Sequence, residues 1–289
     1  MLIPGSKLLL LLSFFHWSYI SAQNLEHFYP KSQGELVEHK YYSLDYNESH
    51  EQANWVIYFA GNTGITSRND NFKADPLVST KSAQLSDFSG SGYDRGHLAP
   101  AADMNVNSTA MRESFYLSNM SPQLPSFNRG IWKKLEALVR DWANNNDSKF
   151  DVIVTGPVLT NMTCGSIGNG VTVPCAYYKI YADLESGRSI GFILPNQSSS
   201  SPLSSFVVSI NEIEDQTGID FFYLLEDDQE EVLESQSSTT NWSWSITNST
   251  PKTKAGNDIS TSQCSATTQS GSRCKRKASE GSDTCWQHD

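Results

Sequence analysis

Chemically able side chains crowd into 42 residues of this chain, from Arg95 to Glu136, in three ordered blocks. The first reads Tyr93-Asp94-Arg95-Gly96-His97-Leu98-Ala99-Pro100. The second is Ser118-Asn119-Met120-Ser121-Pro122-Gln123, and the third is Phe127-Asn128-Arg129-Gly130-Ile131-Trp132. A histidine, two asparagines, several arginines and a glutamate fall within this span. From Ile131 onward, apolar residues recur at Trp132, Leu135, Leu138, Val139 and Trp142, which is helical spacing. Lys133, Lys134 and Arg140 take the other faces. Asn144-Asn145-Asn146-Asp147 ends the helix. A fold that uses these blocks together must gather short segments beside that helix.

The residue types suit hydrolysis of a phosphodiester. A base must take a proton from water, a metal must neutralise charge growing on the leaving oxygen, and cations must hold the phosphate. Each role has a candidate here, so the blocks imply metal-dependent cleavage of nucleic acid.

The 289 residues suffice for one mid-sized domain with a tail, or for two small domains. Lys7, the apolar run Leu8–Phe15 and the small pair Ser21-Ala22 have the order of a secretory signal peptide over residues 1–22. The alternative is an uncleaved membrane anchor, although the run is short and is interrupted by His16. The leader predicts a secreted or periplasmic protein. The formal charge of -11 excludes a protein held to nucleic acid by bulk positive charge. It does not exclude an enzyme with a local cationic cleft. The acidic run from Glu226 to Glu231 reads as a solvated face away from the site.

Residues 23–50 read as polar and irregular, and residues 60–92 as turn-rich. Strands are expected at Trp55–Phe59, Phe115–Leu117, Asp151–Thr155, Tyr177–Tyr181 and Ile190–Leu194. A short helix is expected from Ser209 to Gln216, with Gly218 as its stop. The fold class is α+β: a central, mostly antiparallel sheet flanked by helices. The main domain is expected over 23–235. A disordered Ser/Thr-rich linker follows over 236–262, then a small Cys/His module over 263–289. Trp242 and Trp244 are odd for a linker.

The three blocks, with Leu135-Glu136 completing the third, resemble the DNA/RNA non-specific endonuclease family, the ββα-metal or His-Me finger nucleases. The likeness spans about residues 35–235 and includes Val173-Pro174 and Thr217–Phe222. It implies a ββα active-site unit, DNA and RNA as substrates, and Mg²⁺, with Mn²⁺ or another divalent ion as a substitute. It implies His97 as general base, whose imidazole titrates near neutrality. It implies Asn128 as the metal ligand, which one amide oxygen can be for an ion that keeps most of its waters. Asn128 also suits a helix N-cap. Asn119 is implied to position the histidine or the metal waters, and otherwise reads as a turn residue. Glu136 is implied to bind metal waters, and otherwise reads as a solvated helix carboxylate. Arg95 and Arg68 are implied to hold phosphate through their guanidinium forks. Contacts of this kind go to phosphate and metal, and carry no base information. Two other readings remain: a nuclease-like domain that only binds nucleic acid or a partner, and a phosphodiesterase for small nucleotides. Loss of His97 or Asn128 would mark the former, and both are present.

There are five cysteines. Cys164 and Cys175 bracket a Gly-rich loop, and export favours a disulfide between them. Cys264, Cys274, Cys285 and His288 form a Cys₃His set sufficient for tetrahedral zinc. A disulfide with one spare thiol is the alternative.

Overall fold

The computed structural model describes residues 25–247, apart from 62, 63, 65, 147, 149, 161 and 162, together with Ser265. The expected leader and the tail residues Cys264, Cys274, Cys285 and His288 lie outside the described residues.

The chain builds β1 (Glu35–Glu38), β2 (Ser43–Asn47) and β3 (Gln52–Phe59), then a long loop with one short helix, α1 (Leu85–Phe88). Next come β4 (Asp94–His97), α2 (Ser108–Glu113) and β5 (Met120–Gln123). A π-helical turn (Phe127–Trp132) runs into α3 (Lys133–Asn145). The second half holds β6 (Asp151–Pro157), β7 (Thr163–Ile167), β8 (Val171–Pro174), β9 (Ala176–Asp183), β10 (Arg188–Pro195), β11 (Val207–Val208), α4 (Ile210–Thr217) and α5 (Asp227–Glu234).

Seven strands form one sheet in the order β1-β2-β3-β6-β9-β10-β11. Every neighbouring pair is antiparallel. The expected α+β architecture is therefore present. Both faces of the sheet are covered, so its central strands are apolar without strict alternation. Val56, Tyr58, Ile153, Tyr177, Tyr181 and Phe192 pack on one face with Trp132, Leu135, Leu138 and Trp142. Trp55, Ile57, Val154, Tyr178 and Ile180 pack on the other with Ile210, Ile213 and Leu233. α4 begins at Ser209, whose side chain accepts from Glu212 N, and ends at Gly218 with φ of 68°. Both ends match the sequence reading.

Three expectations are corrected. Residues 23–50 contain β1 and β2. Phe115–Leu117 is not a strand. It is a turn after α2, with one bridge between Tyr116 and Lys73, and the strand starts at Met120. Residues 236–247 are packed onto the domain, unlike the expected linker. Trp242 and Trp244 lie 4.7 and 5.7 Å from the Trp142 ring, and Trp142 Nε1 donates to Ser243 O at 2.6 Å. Partial burial of two indoles outweighs the polar composition around them.

Cys164 and Cys175 are joined by a disulfide, with Cα atoms 5.2 Å apart. It ties the β7–β8 hairpin, whose Ile167, Val171 and Val173 pack against Leu117 and Met120.

Candidate active site

β4 and β5 pair antiparallel, with Arg95 opposite Pro122, Gly96 opposite Ser121 and His97 opposite Met120. The helix that follows completes a ββα unit. Gly96 has a steric reason: a Cβ there would sit 2.2 Å from the side chain of Gln123, which is fully buried and has nowhere to move.

Asn119 fastens the end of this hairpin. Its Oδ1 accepts from Ala99 N at 2.9 Å, and its Nδ2 donates to Ala99 O at 3.0 Å and Ser114 O at 2.8 Å. Its backbone carbonyl accepts from Leu98 N at 3.0 Å. The amide is buried and committed to backbone on both sides. Of its two expected contributions, the bonds favour holding the segment that carries His97.

His97 stands edge-on to Phe115, with ring centroids 4.8 Å apart, and 6.0 Å from Phe72. Its Nε2 is buried and has no hydrogen-bond partner. Burial, then repulsion from Arg68 and Arg95 against a weaker pull from Asp70, lowers its pKa to about 3. The imidazole is therefore neutral. Arg95 lays its guanidinium 4.2 Å from the Phe72 ring centroid, and its Nε is also buried without a partner. Arg68 lies 5.1 Å from the Phe115 ring and pairs with Asp70 at 2.5 Å. Phe72 and Phe115, 5.0 Å apart, are thus the floor on which His97, Arg95 and Arg68 sit. The sequence reading assigned neither ring to the site: Phe72 stands alone in a turn-rich loop, and Phe115 reads as part of a strand.

The Arg68 loop is held to the second block. Lys73 N donates to Phe115 O at 3.2 Å, and Leu117 N donates to Lys73 O at 2.8 Å. Two residues on, Asp75 takes His39 Nε2 at 2.8 Å and Ser118 Oγ at 2.5 Å, all buried.

Asn128 lies within the π-helical turn, two residues before a kink at Gly130 (φ -102°, ψ -111°), and the N-cap of α3 is Trp132, so the expected place of Asn128 as that helix's N-cap is not observed. Such turns re-aim side chains and recur at functional sites. Asn128 Nδ2 donates to Asp94 Oδ2 at 2.9 Å, while its Oδ1 accepts no hydrogen bond. Arg129 donates twice to the same carboxylate, at 2.8 and 2.5 Å. Burial works against ionising Asp94, but the bonds from Arg129 and Asn128 hold its carboxyl below the usual range.

Glu136 is half-buried, and among the described residues no hydrogen bond reaches its carboxyl. Burial raises its pKa, opposed by the charges of Lys179, Arg140 and Arg68, so it feels both the interior and the cleft. Beneath it, Arg140 Nε donates to Asp103, which also accepts Tyr58 Oη at 2.8 Å. Lys133 and Lys134 are exposed. Lys179, Asp103 and Arg140 were not anticipated as parts of this cluster. A lysine in the apolar run of β9 was the available signal.

Among the described residues, no three His, Cys, Asp or Glu side chains are grouped to hold a metal. The free carbonyl oxygen of Asn128 is the hard oxygen donor that a mostly hydrated Mg²⁺ accepts, so the site fits such an ion.

Comparison with known proteins agrees with this geometry. Residues 20–228 match the DNA/RNA non-specific endonuclease family. Nuclease C1 of Cunninghamella echinulata var. echinulata is 32% identical over 215 residues, which cover 67% of this chain and 84% of that protein. A nuclease of Nostoc sp. is 34% identical over 197 residues, covering 62% and 70%. The mouse mitochondrial nuclease EXOG is 32% identical over 222 residues, covering 68% and 60%. A chain in the crystal structure of the EndoG/EndoGI complex superimposes with a TM-score of 0.63 at 27% identity, covering 72% of this chain and 94% of that one.

Proposed function

This chain belongs to the DNA/RNA non-specific endonuclease family, and from that premise we propose that it is a Mg²⁺-dependent endonuclease cutting DNA and RNA without sequence preference. One observation carries the reading. His97 Nε2 and Arg95 Nε are both buried, both lack a partner, and both flank Phe72. Unpaired buried polar atoms are costly, and a bound phosphate with its attacking water satisfies these two.

In this reading Arg95 and Arg68 hold non-bridging phosphate oxygens. The phosphate's negative charge opposes the burial and the arginine repulsion that together keep His97 neutral. His97 then accepts the proton of a water whose oxygen bonds to phosphorus, while the bond to the leaving oxygen breaks. Asn119 keeps His97 in register. The Asn128 carbonyl would hold the ion, which would supply charge neutralisation at the leaving oxygen. Glu136 orders water beside it. Every contact is to phosphate, water or ion, which supports indifference to base and sugar.

The full-length protein should nick plasmid and degrade RNA with Mg²⁺ and stop with EDTA. No cleavage of either under any divalent ion would overturn the enzyme reading.

Two outlying parts complete the proposal. The leader over 1–22 supports export, and the domain is then followed by a tail module that binds structural zinc through Cys264, Cys274, Cys285 and His288. Several relatives are named as mitochondrial, so the address is tested directly by fractionation. Retention inside the cell would defeat export. Intact mass and metal content test the tail: one zinc per chain is expected, and a disulfide among its cysteines without metal would defeat zinc.

A further inference from the structure

Lys179 is the most anomalous side chain near the cleft. It sits in the middle of β9, paired with Thr155 and Phe192, in the centre of the large sheet. Strand alternation puts it on the face of Tyr177 and Tyr181, the face that α3 covers. Its exposure is 1%, and its Nζ has no hydrogen-bond partner. The ammonium lies 5.0 Å from the ring of Trp132, the last residue of the turn that carries Asn128. A ring face compensates a buried cation only in part.

The charges around it show what it faces. Burial lowers the basicity of Lys179, and the largest opposing influence is Glu136, followed by Asp103. From the other side, Lys179 is the foremost cation acting on Glu136, ahead of Arg140. Arg140 is already bonded to Asp103, and Asp103 is shared with Tyr58. Among the described residues, that leaves Lys179 and Glu136, on facing elements, each without a hydrogen-bond partner.

We infer that Lys179 is a positioning residue for cleavage, supplying from beneath α3 the counter-charge that anchors the Glu136 carboxylate in place. Lys179 touches no substrate, being sealed between sheet and helix. The inference rests on the nuclease reading, in which Glu136 orders water at the site. It makes the sheet interior part of the active site.

The test is a cycle of Lys179→Met, Glu136→Gln and the double variant, in the full-length protein. Met keeps the length and apolar stem of Lys and removes the charge. Loss of a supporting partner typically costs ~10–100-fold, so Lys179→Met should lower kcat on that order with KM for DNA unchanged. In the Glu136→Gln background the same change should cost nothing further. The melting temperature should drop in Glu136→Gln, which strands the buried ammonium, and recover in the double variant. Wild-type cleavage with Lys179→Met within a few-fold of it would overturn the inference and leave the nuclease reading intact. Equal losses in both backgrounds would reduce Lys179 to a packing role and overturn it as well. So would failure of both Lys179→Met and the double variant to fold. An inactive wild type would overturn the nuclease reading, and this role with it.

Discussion

Asp94 fixes which end of the Asn128 amide faces outward. It accepts the Nδ2 hydrogen at 2.9 Å, and the carbonyl oxygen is thereby the atom left free. The two residues are 34 apart in sequence, on β4 and on the π-helical turn, so the bond also closes the ββα unit. Arg129 neutralises Asp94 from the solvent side. The proposed ion site is thus oriented by a residue that is not itself its ligand.

Asp94→Ala should free the amide to rotate. The expected outcome is a Mg²⁺ requirement raised by ~10–100-fold at little cost in maximal rate, because supporting partners of a ligand tune affinity on that scale. Cleavage rate against Mg²⁺ concentration checks it. An unchanged half-saturation point would show that the amide is oriented without Asp94.

His97 couples the site to acid stability. Its folded pKa of about 3 lies below the ordinary 6.5. Between those values the unfolded chain binds a proton that the folded chain refuses. The His97 contribution to stability is therefore complete above 6.5 and is lost as pH falls toward 3, at about 1.4 kcal/mol per pH unit. His97→Ala should flatten that part of the pH profile in chemical denaturation, and should lower the cleavage rate ~10²–10⁴-fold. A slope identical to wild type would mean that His97 charges freely in the fold. A rate near wild type would place the base elsewhere.

The parts legible in the sequence are those where one physical signal dominates. α3 shows its 3.6-residue spacing because one face meets the sheet, and β6, β9 and β10 show as apolar runs because both faces are covered. β1 and β2 were hidden because burial there is achieved by polar satisfaction. Asp45 is fully buried, yet it takes Ser32 Oγ, Gln33 N, Gly34 N and Asn54 Nδ2 at 2.5 to 3.1 Å. No hydropathy pattern reports such a network. His97, Arg95, Asn119, Asn128 and Glu136 were legible as ordered blocks, and Arg68 only through the resemblance. The Phe72–Phe115 floor and Lys179 were not, since each depends on contacts between segments far apart in sequence.

Glu234 should limit alkaline stability. It is 6% exposed, and its Oε1 has no partner. Burial, then the charges of Glu214 and Glu230, raises its pKa to about 8 from 4.5. Here the folded chain keeps a proton that the unfolded chain has lost, so stability falls as pH rises from 4.5 to 8. Glu234→Gln imitates the neutral form. It should raise the melting temperature at pH 8 and flatten the decline, at roughly 2–4 °C per kcal/mol recovered for a domain of this size. Equal melting curves at pH 5 and at pH 8 for both proteins would show that Glu234 ionises without penalty.

The Cys164–Cys175 disulfide should matter for stability more than for chemistry. It closes a 12-residue loop around the β7–β8 hairpin. A cross-link of that span restricts the unfolded chain by about 3 kcal/mol. The hairpin packs against Met120, which lies opposite His97 across the β4–β5 ladder, but among the described residues it places no side chain against His97, Arg95 or Arg68. Replacing both cysteines by alanine should therefore lower the melting temperature, while cleavage at 25 °C stays within a few-fold of wild type. Reductant should reproduce the melting shift in the wild type and do nothing to the variant. A variant that melts like wild type would show that the hairpin's apolar packing alone holds it. A variant that melts lower but also loses cleavage at 25 °C would show that the hairpin sets the register of His97.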